Sequence, residues 1–155
     1  MNNPARDRGP APDDALWDTY AGAHITCEVE GRTCRLRGPA VDPLPAAAPV
    51  FVLTAWNPGG VDRDQVANDD AERVLERELT SADALFWSAL GHSPDDSWSE
   101  PGVAAAGFDR AGACALGERY GQLAVYELTD DLVRVVRCTD RAVIREGPRV
   151  HDASR

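Results

Sequence analysis

The run Pro49-Val-Phe-Val-Leu-Thr-Ala-Trp-Asn-Pro-Gly-Gly60 decides how this chain is read. Val50 to Ala55 form a short apolar block bounded by turn formers, the pattern of a strand covered on both faces. Asn57-Pro58-Gly59-Gly60 then frees the backbone for tight turns and for close approach to a ligand. Helical spacing follows at once: Val66, Ala67, Ala71, Val74, Leu75 and Leu79 keep one side from Asp62 to about Leu79, with Asp62 or Asp64 as N-cap. A strand, a glycine-bearing loop and a helix N-terminus in succession predict a pocket for an anionic or polar small molecule.

Working towards the N-terminus, Gly38 to Pro49 is a Pro- and Ala-rich connection. Before it, His24 to Val29 and Arg32 to Arg37 alternate polar and apolar residues around Glu30-Gly31. That pattern predicts an antiparallel hairpin with Ile25, Cys27, Val29, Cys34 and Leu36 inward. Asp13 to Gly22 reads as a short helix with Leu16, Trp17 and Tyr20 on one side, and residues 1–12 as a disordered segment without periodicity. Towards the C-terminus, Ala84 to Leu90 is an aromatic-rich strand and Gly91 to Gly102 a polar loop of functional length. Val103 to Phe108 is a strand, Asp109 to Tyr120 a helix capped by Asp109, and Gln122 to Leu128 and Leu132 to Cys138 are two further strands. The pattern decays after Cys138, so residues 141–155 read as a tail. The order predicts one α+β domain over residues 13–140, with a single mixed or antiparallel sheet and helices packed mainly on one face.

With 155 residues and 43% hydrophobic content, the chain can bury a full core, roughly 70% of its unfolded surface. The net charge of −10 makes this an acidic protein and a poor partner for a nucleic-acid duplex or an anionic membrane. No run reaches transmembrane length, and Met1 to Tyr20 lack the apolar core of a signal peptide, so the expected location is cytoplasmic. All 16 cations are arginine, which removes Schiff-base chemistry and a Walker-type lysine. A codon bias towards GC-rich triplets is the plainer cause of that absence. Cys27, Cys34, Cys114 and Cys138 form no C-x-x-C pair and have no histidine at ligand spacing, so no metal site is expected.

The candidate site residues flank the decisive run. Asn57, Gly59 and Gly60 supply the loop, Arg63 is the ligand-facing arginine at the helix start, and Asn68 projects at the edge of the helix's buried face. Asn68 reads equally well as a residue that only fixes the preceding loop. In the long polar loop Glu100 is the best general base and His92 a second titratable group, with Trp98 able to stack on a planar ligand. Trp56 contributes to an aromatic rim, and Gln122 follows Gly121, a left-handed helix cap, as a carboxamide reader. Cofactors are not specified by any motif.

Four separated motifs resemble a known family. Thr54-Ala-Trp-Asn-Pro58, the Asn68 helix, Gly91-His-Ser-Pro with Trp98-x-Glu100-Pro101, and Tyr120-Gly-Gln122 occur in the order of the bacterial family catalogued as domain of unknown function 3293. The likeness spans about Val50 to Cys138 and implies no particular reaction. Gly102 departs from it, standing where a small hydroxyl residue is common, and the acidic pair Asp69-Asp70 follows Asn68.

The resulting reading is a cytoplasmic small-molecule-binding domain. Its enzymatic version would act on a nucleotide-like or phosphorylated metabolite, with Asn57, Asn68 and Gln122 reading the ligand and Glu100 moving protons. The alternative is a non-catalytic protein-interaction or regulatory module in which the same polar residues only fix loops and Trp98 anchors a protein partner.

Overall fold

The structure, a computed structural model, describes residues 12–60 and 62–153. Eight strands form one sheet, in the order β2-β1-β4-β5-β3-β6-β7-β8, and every strand pairing is antiparallel. The strands are β1 (His24–Val29), β2 (Arg32–Arg37), β3 (Val50–Leu53), β4 (Leu85–His92), β5 (Ser99–Ala106), β6 (Ala124–Leu128), β7 (Leu132–Arg137) and β8 (Val143–Pro148). Three helices accompany them: α1 (Pro12–Gly22), α2 (Gln65–Ser81) and α3 (Arg110–Arg119). The expected α+β class with an antiparallel sheet is what forms.

Local chemistry explains most of these elements. Glu30 and Gly31 both take positive φ (51° and 77°), the backbone of a two-residue hairpin turn whose twist matches its strands. Asp64 caps α2 by accepting from the Ala67 N–H at 3.0 Å, and Asp109 caps α3 through the Gly112 N–H at 2.7 Å. The central strand β3 is buried at all four positions, as an apolar block bounded by turns predicts.

Alternation along the strands separates two faces. Phe51, Leu53, Val103, Val125 and Val136 form one core cluster with Leu75 and Leu79 of α2 and Ala113, Cys114 and Leu116 of α3. The opposite face gathers Ile25, Leu36, Val50, Val52, Ala89, Ala104, Leu128 and Val133 into a single cluster that runs from β1 through β7. Side chains of so many strands can meet only if that face is concave. Trp17 of α1 packs against Ala124 and Val135 of the concave face.

The curl brings the two edges of the sheet together. Val41 bridges His151: the Val41 N–H donates to Val150 O at 2.9 Å, and the Asp152 N–H donates to Val41 O at 3.1 Å. Arg149, only 4% exposed, crosses this seam. Its Nε donates to Leu36 O, one terminal nitrogen donates to Thr129 O and Asp130 O, and the other donates to Asp42 O at 2.8 Å. Arg35 adds ion pairs to Asp42 and Asp152.

Three expectations need correction. The stretch read as a tail contains β8 and the seam, because a polar edge strand carries little hydrophobic periodicity. Gly91 to Gly102 is not one long loop: β4 and β5 pair through His92↔Ser99, leaving only a tight turn over residues 93–98. On α2, Val66 and Val74 are exposed at 70% and 48%, whereas Asn68 and Glu72 are buried. The reading of residues 1–12 as disordered falls, but for Pro12, outside the described residues.

Candidate functional site

A cavity of about 440 Å³ opens on the concave face. Ile25, Val52, Ala89 and Ala124 give it an apolar floor, Leu16, Thr19 and Tyr20 of α1 cover one side, and Thr54, Asn57 and Asp62 line another. Glu100, Trp98, Gln122 and Tyr126 complete the wall. Gly102 also lines it, and here its lack of a side chain is a steric necessity, since a Cβ would stand 2.5 Å from Leu53 O.

Glu100 reaches the cavity because it pairs with Gly91 and stands in register with Gly102 and Ala104 on the concave face. Burial there pushes its carboxyl up to about 7, with Asp62 pushing further in the same direction. A carboxyl poised at that value can give or take a proton near neutrality. Trp98, 37% exposed, sits at the rim beside the turn that Ser93 holds by accepting the Trp98 N–H at 3.1 Å. The Tyr126 hydroxyl donates to Tyr20 O at 2.8 Å, tying the inner wall to α1, and burial raises the phenols of both residues.

Gln122 is 7% exposed. Its Nε2 donates to Trp56 O at 2.9 Å and to Tyr120 O at 3.2 Å, so its Oε1 is the end left over at the cavity wall, without a hydrogen bond from any described residue. The turn before it fits closely under the Asn57 loop: the Gly59 N–H donates to Gly121 O at 2.6 Å. Gly121 has φ of 71°, and a Cβ there would lie 2.6 Å from the Pro58 Cβ.

Behind the cavity wall lies a second acid. Glu72, 8% exposed, accepts the Ala55 N–H at 2.9 Å through Oε2, while its Oε1 is buried without a partner. Burial is the main reason its carboxyl rises to about 7, with Glu76 and Glu100 adding to the rise. The Thr54 hydroxyl has one proton and places it on Pro101 O at 2.6 Å. The 3.4 Å contact between Thr54 Oγ1 and Glu72 Oε2 is therefore best made by a proton on Glu72. The Trp56 Nε1 is likewise buried without a partner.

Of the residues expected in the site, Asn57, Trp98, Glu100 and Gln122 line one cavity. Asn68 does not: its carboxamide is fully engaged with the loop, donating to Asn57 Oδ1 and Arg63 O and accepting from the Asn57 N–H and Arg63 Nε. Arg63 also donates to Ala55 O at 3.1 Å, so the arginine expected to face a ligand instead braces the loop. Trp56, Gly59 and Gly60 shape this loop outside the cavity lining. His92 lies on the convex side of β4, edge-on to His24 at 5.5 Å and 3.0 Å from Asp96, and does not meet Glu100 in the cavity. Tyr20, Asp62, Glu72 and Tyr126 were missed as site residues. Glu72 had a signal, a charged residue seven before Leu79 on the buried helical stripe, and Tyr126 had alternation with Ala124 and Leu128.

Among the described residues no three His, Cys, Asp or Glu side chains are grouped to hold a metal ion, and no helix is long and apolar enough to cross a membrane. None of the four cysteines is in a disulfide, and Cys27 lies directly opposite Cys34 across β1 and β2. Residues 53–125 match the model of a family described as a protein of unknown function (DUF3293), which bears out the resemblance carried by the four motifs. No curated protein and no solved structure matches the chain.

Proposed function

We propose that this chain, whose residues 53–125 match the DUF3293 family model, holds a small organic molecule in the cavity of its curled sheet. The observation that carries the reading is convergence: Glu100, Gln122 and Trp98, from separate elements, meet over an apolar floor in a space of about 440 Å³. Ligand sites of this kind are concave, mostly apolar and furnished with few polar groups. A nucleotide-like or phosphorylated ligand, the class suggested by the glycine loop, is supported less well. Its phosphate would need a cation, and Arg63 is turned to Asn68 and Ala55 while Glu100 and Asp62 line the cavity.

An enzymatic role finds its support in Glu100, a carboxyl near 7 at the wall of the cavity and the group fitted for proton transfer. The interaction-module reading rests on the exposed edge of Trp98. A test compares a fragment mixture of neutral, cationic and anionic aromatics by saturation-transfer NMR on wild type, Ala124→Trp and Arg63→Ala. Filling the cavity with Ala124→Trp abolishes binding and Arg63→Ala leaves it intact if the cavity is the site. Binding indifferent to Ala124→Trp would end the reading.

A further inference from the structure

We propose that the ligand of this cavity is an organic cation, an amine-bearing molecule with a flat or apolar body, whose ammonium group sits against Glu100. The inference rests on the cavity being a ligand site at all and specifies the chemistry of what enters it. The charged side chains at the wall are of one sign. Glu100 and Asp62 offer carboxylates, and among the described residues no arginine or histidine lines the cavity. Gln122 adds an acceptor: both protons of its Nε2 go to the Trp56 and Tyr120 carbonyls, which fixes the amide orientation and leaves Oε1 as the unpartnered end of a side chain 93% buried by its 7% exposure. The Tyr126 hydroxyl gives its proton to Tyr20 O, so it too presents lone pairs.

A wall whose charges are negative, with the Gln122 oxygen left unpartnered, favours a cationic donor. An ammonium group brings up to three N–H donors and the charge that Glu100 lacks, whereas a phosphate or carboxylate would meet Glu100 and Asp62 without a counter-charge. Aromatic side chains supply the rest: Tyr20, Tyr126 and Trp98 line the cavity, and rings of this kind attract a cation and shelter an apolar body. The titratable groups coupled to Glu100 are all acids: Asp62 raises Glu100, and Glu100 in turn raises Glu72 behind Thr54 and the phenols of Tyr20 and Tyr126. A bound cation favours the ionised form of Glu100, so binding strengthens as pH rises through about 7.

The experiment uses three probes of one shape on the full chain: phenethylamine, phenylethanol and phenylacetate, titrated by calorimetry and ligand-observed NMR. The expected order is amine, then alcohol, then acid, with the amine favoured about tenfold or more over the alcohol at about pH 8. Glu100→Gln should reduce the amine to the level of the alcohol. Should that variant fail to fold, wild type at about pH 5.5 makes the same test, because protonating Glu100 removes the charge while the amine keeps its own. Alcohol or acid binding as tightly as the amine, or an amine preference unchanged by Glu100→Gln and by pH, overturns the cation and leaves the cavity a binding site. If none of the three binds at millimolar concentration, the cavity reading falls and the cation with it.

Discussion

Asn68 and Asn57 hold each other through two hydrogen bonds: the Asn68 Nδ2 donates to Asn57 Oδ1 at 2.9 Å, and the Asn57 N–H donates to Asn68 Oδ1 at 2.9 Å. The pair keeps Asn57 at a φ of 47°, a left-handed backbone that asparagine tolerates better than most residues. The loop at the cavity edge is thus fixed from within by α2, and the arginine beside it is part of the clasp.

Asn68→Ala should destabilise the fold by at least about 2 kcal/mol, because it strips partners from the Asn57 N–H, Asn57 Oδ1 and Arg63 O together. Urea unfolding measures this directly. A loss below about 0.5 kcal/mol would mean that the clasp closes through water instead.

Glu72→Gln tests the buried acid. The folded carboxyl, near 7, lies above its unfolded value, so it favours the folded state below the unfolded pKa, and that contribution is lost as pH rises from about 4.5 through about 7. The amide has no such titration and can still accept the Ala55 N–H. The variant should therefore lose less stability than wild type between about pH 5 and pH 8, read as a flatter dependence of Tm on pH. Identical slopes would show that Glu72 does not carry the proton.

Gly102→Ser places the hydroxyl residue common in the resembled family where this chain has none. A Cβ at 2.5 Å from Leu53 O forces β3 and β5 apart, at a cost of about 1–3 kcal/mol. Chemical denaturation of Gly102→Ser and Gly102→Ala should give similar losses, since the clash belongs to the Cβ. A neutral Gly102→Ser would show that the strands yield freely there.

Two loop glycines should differ. Gly59 has φ of 69° with open space around its Cβ position, so Gly59→Ala carries only the left-handed backbone penalty of about 1–2 kcal/mol. Gly121 has the same backbone and a Cβ position 2.6 Å from Pro58, so Gly121→Ala should cost distinctly more and loosen the Asn57 loop. Equal unfolding midpoints would contradict the close fit of the two turns.

Arg149→Ala should cost more than about 2 kcal/mol, because it leaves carbonyls of Leu36, Asp42 and Thr129 without their buried donor, and removal of residues 149–155 should cost more still, because the Val41 bridge and the Arg35–Asp152 pair go with it. Thermal unfolding of the two variants side by side is the check. A truncated chain as stable as wild type would reduce the seam to an incidental contact.

Element order was legible in the sequence wherever one face is apolar. The β1–β2 hairpin, β3, both acidic N-caps and the Gly121 turn follow from alternation, apolar runs and turn chemistry. Illegible were the features made by polar residues in ordered places. Ser99, Glu100 and Pro101 look like loop and are strand, because the cavity gives Glu100 a place on the inner face. Arg145, Glu146 and Arg149 look like tail, yet ion pairs and carbonyls hold them: Arg134 pairs with Glu146, and Arg145 with Asp14 and Asp18. The candidate site was half legible. Position along the chain brought out Glu100, Trp98, Asn57 and Gln122, but the direction in which Asn68 and His92 point depends on helix phase and strand register.

The seam also orders events in time. It joins residues 35–42 to residues 149–152, and the entropy of bringing such distant segments together favours their meeting only after the intervening strands have paired. A ribosome that has delivered β1 through β6 has made the material of a curved sheet but not its closure. Until Arg149 emerges, the edge of β2 is open to pairing with another strand, so slow synthesis of the last segment would expose the nascent protein to aggregation.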